Sequence, residues 1–318
     1  MNYLLIVLSF FLFQESFAAP TTPKVEDTAT PKVADPAAKP STDEADQTIT
    51  NRRLRASEGS LSKWSISTFW NYQGGSVNDP TEPERPNIVN GGNVQTLQSL
   101  SGEVGVKYRL TKLDSLTFST GLFMTTPFHS TIDDNSALKP AFDQNSQKLN
   151  VQDPFLKYSH LDKIWGIQSI STAQGKLITN NQLSERRFRS ELMLSQNFIK
   201  DVGQTGFSYG AALMGYFYDF RDSVQLNGLT EQLIGIYPQA EYVINDLFNV
   251  RTVFGWQVYE NVRGQPSDTY TKRKVYQSVG LGISVTRDLF FYPNIQFIPS
   301  NIRDDVTNIA LQMNWNIF

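Results

Sequence analysis

The sequence predicts an all-β chain, closed into an antiparallel up-and-down transmembrane β-barrel of about twelve strands. Three observations carry that prediction. Apolar and polar residues alternate over about twelve segments of roughly ten residues, the length a tilted strand needs to cross a bilayer. The connections between these segments are short and long in strict alternation. Aromatic residues are abundant, with 21 Phe, 13 Tyr and 5 Trp, and they gather toward segment ends as interfacial girdles require.

The first elements precede the barrel. Leu4 to Phe13 is an apolar run too short to span a bilayer as a helix, and the small residues Ser16 and Ala18 follow it at cleavage spacing. Residues 1–18 therefore read as a signal peptide, although no Lys or Arg precedes the apolar run. Residues 19–60 are rich in Pro, Ala, Thr and charge, and TPKVEDTA is followed by TPKVADPA. Such a segment buries too little apolar surface to offset its ordering entropy, so the expectation is a disordered tether. The barrel is expected over 61–318. No later stretch is long and apolar enough for a transmembrane helix.

Within the barrel, WSISTFWNY (64–72), GEVGVKYRL (102–110) and LTFSTGLFM (116–124) set the pattern. In the second of these, Val104, Val106 and Tyr108 fall on one face, and Glu103, Lys107 and Arg109 on the other. Further segments fall near 151–160, 164–174, 187–198, 207–219, 232–243, 248–260, 274–286, 290–298 and 307–318. The last is IALQMNWNIF, where Ile309, Leu311, Met313, Trp315 and Ile317 oppose Ala310, Gln312, Asn314 and Asn316. Short connections are expected at 111–115, 161–163, 200–206, 245–247 and 287–289. Long polar ones are expected near 74–95, 125–149, 175–186, 220–231, 261–273 and 299–306.

A soluble two-sheet sandwich also produces alternation. Against it stand the length and number of the strands, the placement of the aromatics, and polar rows that run the full length of each strand. In lipid every backbone N–H and C=O must pair internally, so such a sheet has to close.

On these residues the chain resembles a Gram-negative outer-membrane β-barrel protein. The resemblance covers the export signal and about residues 62–318, and its sharpest element is the terminal strand before Phe318. It implies short periplasmic turns, long extracellular loops, and a periplasmic N-terminal tether and C-terminus. It also implies contact with outer-membrane lipid and lipopolysaccharide, and recognition of the C-terminal strand by the barrel-assembly machinery. Ile317 keeps the apolar phase, whereas Phe318 falls one residue out of it.

Composition narrows the chemistry. The chain has no Cys, which excludes disulfides, thiolate sites and a cysteine-linked lipid anchor. With only His129 and His160, a multi-histidine metal site is not expected, and no cofactor is implied. A net charge of −3 argues against nucleic acid as a partner. His129-Ser130 and His160 with Asp162 lack the spacing and placement of an outer-membrane phospholipase or protease, so no enzyme is expected.

The inward rows carry the functional expectation. Glu103, Lys107, Arg109, Lys157, Arg187, Arg189, Glu191, Glu241 and Arg251 are expected to face the lumen, with Gln296, Gln312, Asn314 and Asn316 along the closing wall. Six of these are basic and three acidic, which fits a narrow channel for small hydrophilic solutes with a slight anion preference. The charges could instead pair and plug the lumen, and Glu241 opposite Arg251 suits a cross-strand pair. The alternative is a non-conducting structural or surface-display barrel acting through its long loops.

Overall fold

The computed structural model describes residues 43–179, 187–220, 229–262 and 269–318. The expected signal peptide, residues 19–42, and parts of three long loops lie outside the described residues.

Twelve antiparallel strands form one closed sheet. They are β1 (Trp64–Ser76), β2 (Ser99–Arg109), β3 (Asp114–Thr125) and β4 (Leu149–Ile164). Next come β5 (Ile167–Leu177), β6 (Phe188–Asp201), β7 (Phe207–Phe220) and β8 (Thr230–Val243). The last four are β9 (Phe248–Gly255, continued as Gln257–Val262), β10 (Tyr276–Thr286), β11 (Leu289–Phe297) and β12 (Asn308–Ile317). Each strand pairs with its neighbours in sequence, and β12 returns to β1 in a register running from Ile66 opposite Ile317 to Ser76 opposite Asn308. That seam closes the sheet, which is the condition for a sheet in hydrocarbon, and only at the long-loop end does Gln257–Val262 pair with a short edge strand, Thr271–Lys272.

Alternation sorts the two faces. Val106, Phe118, Leu156, Leu194, Ile234, Val250, Leu311 and Trp315 stand exposed on the outer wall. Their sequence neighbours are polar and turned inward. On β3 these are Ser115, Thr117 and Ser119, all buried, and on β12 Asn316 is buried against residues inside the barrel. The aromatic girdle holds at Trp64, Phe207, Tyr242, Tyr259 and Trp315, all exposed on the outside. Phe290 belongs to the inside, packed with Tyr292, and the registers turn Tyr218 and Tyr276 inward too.

Two local features differ from the sequence reading. The expected turn at 161–163 is strand: β4 runs on to Ile164 and reverses at Trp165-Gly166. Both of those residues have positive φ (52° and 76°), as a two-residue type I′ hairpin requires. The reason is that Leu161 is needed inside, where it is almost fully buried. Strand β9 is interrupted by a bulge at Trp256, which lies half exposed. Phe318 lies beyond the end of β12 and is 73% exposed, consistent with its being out of phase.

The larger correction concerns residues 43–60. In place of a disordered tether they form two short helices, α1 (Glu44–Thr48) and α2 (Arg52–Glu58), at the short-turn end of the barrel. On the opposite side, the long loops include a small hairpin (Glu84–Pro86 with Gln95–Leu97) and a third helix, α3 (Lys139–Asn145).

If Leu194 faces lipid and Ser195 the lumen, the same substitution at adjacent residues separates the two walls. Leu194→Arg should destabilise the refolded barrel by about 2–4 kcal/mol in urea titrations in lipid vesicles, and Ser195→Arg by much less.

Candidate functional site

The site is the short-turn end of the lumen, where the inward rows of the barrel meet α1 and α2. Each helix starts on a side-chain cap. Asp43 accepts from the Ala45 N–H (2.9 Å) and Asn51 from the Leu54 N–H (3.0 Å). Gly59 ends α2 at φ 93°, and a β-carbon there would come within 2.6 Å of the Asn316 amide oxygen. Both the backbone conformation and the close approach to β12 therefore require glycine. Helices of five and seven residues are too short to persist in water alone, so the wall must hold them.

The apolar part of that wall interrupts the polar rows. Ala45, Ile49 and Leu54 pack into one buried cluster with Leu161, Ile170 and Ile199 from β4, β5 and β6, flanked by Leu61 and Leu113. On the other side Ala56 packs against Phe290 and Tyr292 of β11. Burying Ile49 and Leu54 contributes about 1.5–3 kcal/mol each.

The polar part matches the wall group by group. The Glu58 carboxylate accepts from Lys107 Nζ (2.6 Å) and Ser115 Oγ (2.8 Å). Arg109 grips Asp43 with two hydrogen bonds (2.6 and 3.0 Å), and Arg287, in the β10–β11 turn, reaches Asp46 at 2.8 Å. In the opposite sense, Arg53 of α2 lies 3.5 Å from Glu241 and donates to Gln239 (3.1 Å). The N–H groups of Thr50 and Asn51 both donate to the Gln168 side chain, at 2.7 and 2.8 Å. The Asn316 amide donates to the Ala56 carbonyl at 2.7 Å. Arg109 thereby holds the Asp43 carboxyl below its ordinary value of 3.8.

The expected lumen residues, apart from two arginines, divide into four groups. Lys107, Arg109, Glu241 and Arg251 meet α1 and α2 or lie beside them. Arg251 is 4.0 Å from Glu241, donates to Gln239 at 3.1 Å, and stacks 4.9 Å above the Tyr292 ring. Glu103 and Lys157 pair with each other at 2.5 Å. They reach across β3, whose inward Thr117, Ser119 and Gly121 are small enough to allow it. Glu191 is buried and pairs with Lys176 of β5 at 3.0 Å. Gln296, Gln312 and Asn314 line the inner wall of β11 and β12, as their register with Ser278, Tyr292 and Phe290 dictates.

Arg187 and Arg189 depart from the expected place. Arg187 precedes β6 with φ 67°, and an irregularity between Phe188 and Ser190 breaks the alternation. Phe188 takes the buried position, while Arg189 is largely exposed and pairs with Asp219 at 2.6 Å. Both arginines thus belong to the long-loop rim. Sequence reasoning missed Lys176, because alternation marks the fifth strand only to 174, and Arg287, because it lies in a turn. It also missed the apolar inward residues Leu161, Ile170 and Ile199. Their signal is an apolar residue ending a mainly polar row, repeated near three short-turn ends.

Between the α1–α2 linker and strands β6–β10 lies a cavity of about 250 Å³. Thr50, Asn51, Arg52, Asp201, Ser208 and Glu241 are among its lining residues, and it opens beside the Gly203–Gly206 turn. Beside the cavity the linker still meets the wall: Asn51 donates to Glu241 (3.2 Å), Thr50 to Asp201 (3.1 Å), and Arg52 pairs with Asp246.

No protein-family model and no curated protein matches the sequence. Solved structures match the fold. An outer membrane channel from Pseudomonas putida F1 aligns over 81% of this chain and 97% of its own, at 12% identity and a TM-score of 0.50. The NanC porin aligns over 80% and 98% (9% identity, TM-score 0.43). The KdgM porin, solved with disordered oligogalacturonate, aligns over 79% and 98% (9% identity, TM-score 0.42). At these identities the likeness is one of fold: this chain shares the closed antiparallel barrel.

A carboxylate whose pKa is lowered on docking stabilises the docked state above its ordinary value, here 3.8, and that contribution is lost as pH falls through the lowered value. A nitroxide on Ser57→Cys should therefore be immobile at pH 7 and gain mobility as the pH drops below about 3.8. Asp43→Asn should increase mobility already at pH 7, and electron paramagnetic resonance spectra read both effects.

Proposed function

We propose that the protein is a narrow outer-membrane channel for small hydrophilic solutes, with residues 43–61 closing its short-turn end. The observation that carries this reading is a seamless sheet with an apolar outer wall and a polar, charged inner one. A soluble sheet has no use for a belt of exposed Phe, Leu and Val around its whole circumference, and a plain structural barrel has little use for a charged interior. Twelve strands fall between about eight, which fill with side chains, and 16 to 18, which leave an open channel.

In this reading the short turns, the N-terminal segment and the C-terminus face the periplasm, and the long loops face outward. Strand β12 is the contact for the assembly machinery, and lipid and lipopolysaccharide cover the outer wall. The slight anion preference is its finest part. Pairing removes most of the basic excess: Lys157 is matched by Glu103, Lys107 by Glu58 and Arg109 by Asp43. What supports the preference is Glu241, one carboxylate shared by Arg53 and Arg251. The reading includes no catalytic step.

A second reading, a non-conducting barrel acting through its loops, is favoured by the plug itself. Planar-bilayer recordings separate the two. The full mature chain should show small or infrequent openings, and a variant lacking residues 43–60 should show discrete channels of severalfold larger conductance, with a reversal potential on the anion side. If that variant conducts nothing, the channel reading fails and the structural barrel stands.

A further inference from the structure

The plug carries its acids to the same places where the wall carries its bases. Lys107 on β2, Arg109 at the end of β2 and Arg287 in the β10–β11 turn are met by Glu58, Asp43 and Asp46. These three cations form one group. Asp43, held by Arg109, and Asp46, held by Arg287, are linked in one turn by the Asp46 N–H to the Asp43 carbonyl (3.1 Å), and Arg287 also donates to the Gly59 carbonyl, next to the Glu58 that Lys107 holds. They are also built in: the side chains of Lys107, Arg109 and Arg287 are 5%, 14% and 22% exposed. The wall carboxylates in reach are few. Asp288 contacts Arg287 at 2.6 Å, and Glu241 faces Arg53 and Arg251. With the plug withdrawn, Lys107, Arg109 and Arg287 would face Asp288 on one side, while Arg251 stands on the other with Glu241, Asp201 and Asp246.

A buried cluster of like charges is costly unless opposite charge is supplied, and here the chain supplies it from its own N-terminal segment. We propose that this cluster is a binding site for multivalent anions, and that Asp43, Asp46 and Glu58 occupy it as tethered stand-ins. A soluble polyanion bearing several carboxylates or phosphates, able to engage two or three of the cations at once, competes with the plug and releases it. The plug is suited to such exchange. Its helices are too short to persist undocked, and its apolar anchor is limited to Ala45, Ile49 and Leu54 on one side and Ala56 on the other. Arginine and lysine within a common pocket favour oxyanions through charge-assisted hydrogen bonds. The proposal deepens the reading of residues 43–61 as the closure of a channel by naming what opens it.

The chain has no cysteine, so Ala56→Cys gives a single reporter at a position only 1% exposed in the docked state. The full mature chain carrying it would be placed in phosphatidylcholine vesicles at neutral pH and labelled with a water-soluble maleimide. Millimolar inorganic tripolyphosphate should speed labelling severalfold, and sodium chloride at matched ionic strength should not. In a Lys107→Gln, Arg109→Gln, Arg287→Gln background the rate should no longer respond to tripolyphosphate. Should that variant fail to fold, Arg109→Gln alone should still require a higher tripolyphosphate concentration.

Equal rates with and without tripolyphosphate would overturn the proposal, and so would equal effects of tripolyphosphate and sodium chloride. Release in vesicles containing phosphatidylglycerol but not by tripolyphosphate would also overturn it, assigning the site to lipid headgroups instead. Labelling reports plug release whether or not ions flow. A labelling response without conductance therefore sinks only the channel reading, and conductance without a labelling response sinks only this one.

Discussion

The structure depends on one constraint: in hydrocarbon, backbone N–H and C=O groups have no partner but one another. A sheet that obeys it has to close, and the seam between β1 and β12 is where this one does. Closure in turn fixes the chemistry of both faces. Because side chains alternate strictly, every strand that presents Leu, Phe or Trp to lipid must present its other row to a space shared by eleven more strands. Charges placed on those rows are brought together in a confined interior and need partners there. Glu103 finds Lys157 across β3, and Glu191 finds Lys176 on β5. The bases at the short-turn end find their acids on α1 and α2.

Affinity and position in the plug have different origins. Buried ion pairs recover little net free energy, because desolvation offsets most of the attraction, whereas removing one member of such a pair costs about 3–5 kcal/mol. The pairs therefore set where the helices dock and penalise any other register. Net attraction comes mainly from Ile49 and Leu54 packed against Leu161, Ile170 and Ile199. A plug so held is specifically placed yet releasable.

The strands were legible because alternation over about ten residues is a strong, local signal. All twelve are present, ten near their expected bounds and the fourth and fifth displaced about the Trp165-Gly166 turn, and the strict order of short and long connections survives. The interior was legible only where alternation is unbroken. Glu103, Lys107, Arg109 and Glu241 point inward as read, while the irregularity at Phe188–Ser190 carries Arg189 to the rim. Residues 43–60 were misread because composition judges a segment by its own apolar content. Here the partners are supplied by a wall far away in sequence: Gln168 holds the Thr50 and Asn51 amides across more than a hundred residues. Phe290 and Tyr292, with Leu289 and Phe291 between and beside them, make both rows of β11 apolar at once. A strand with lipid on one side and water on the other has no reason for that, and the contradiction marked the plug.

Exchange of one ion pair tests most directly whether complementary charge holds the plug in place. A nitroxide on Ser57→Cys would be followed in Lys107→Glu, in Glu58→Lys, and in the variant carrying both changes. Each single reversal should free the label by placing like charges together, and the double reversal should restore the immobile spectrum. An immobile label in both single variants, or a double variant as mobile as the singles, would contradict the account.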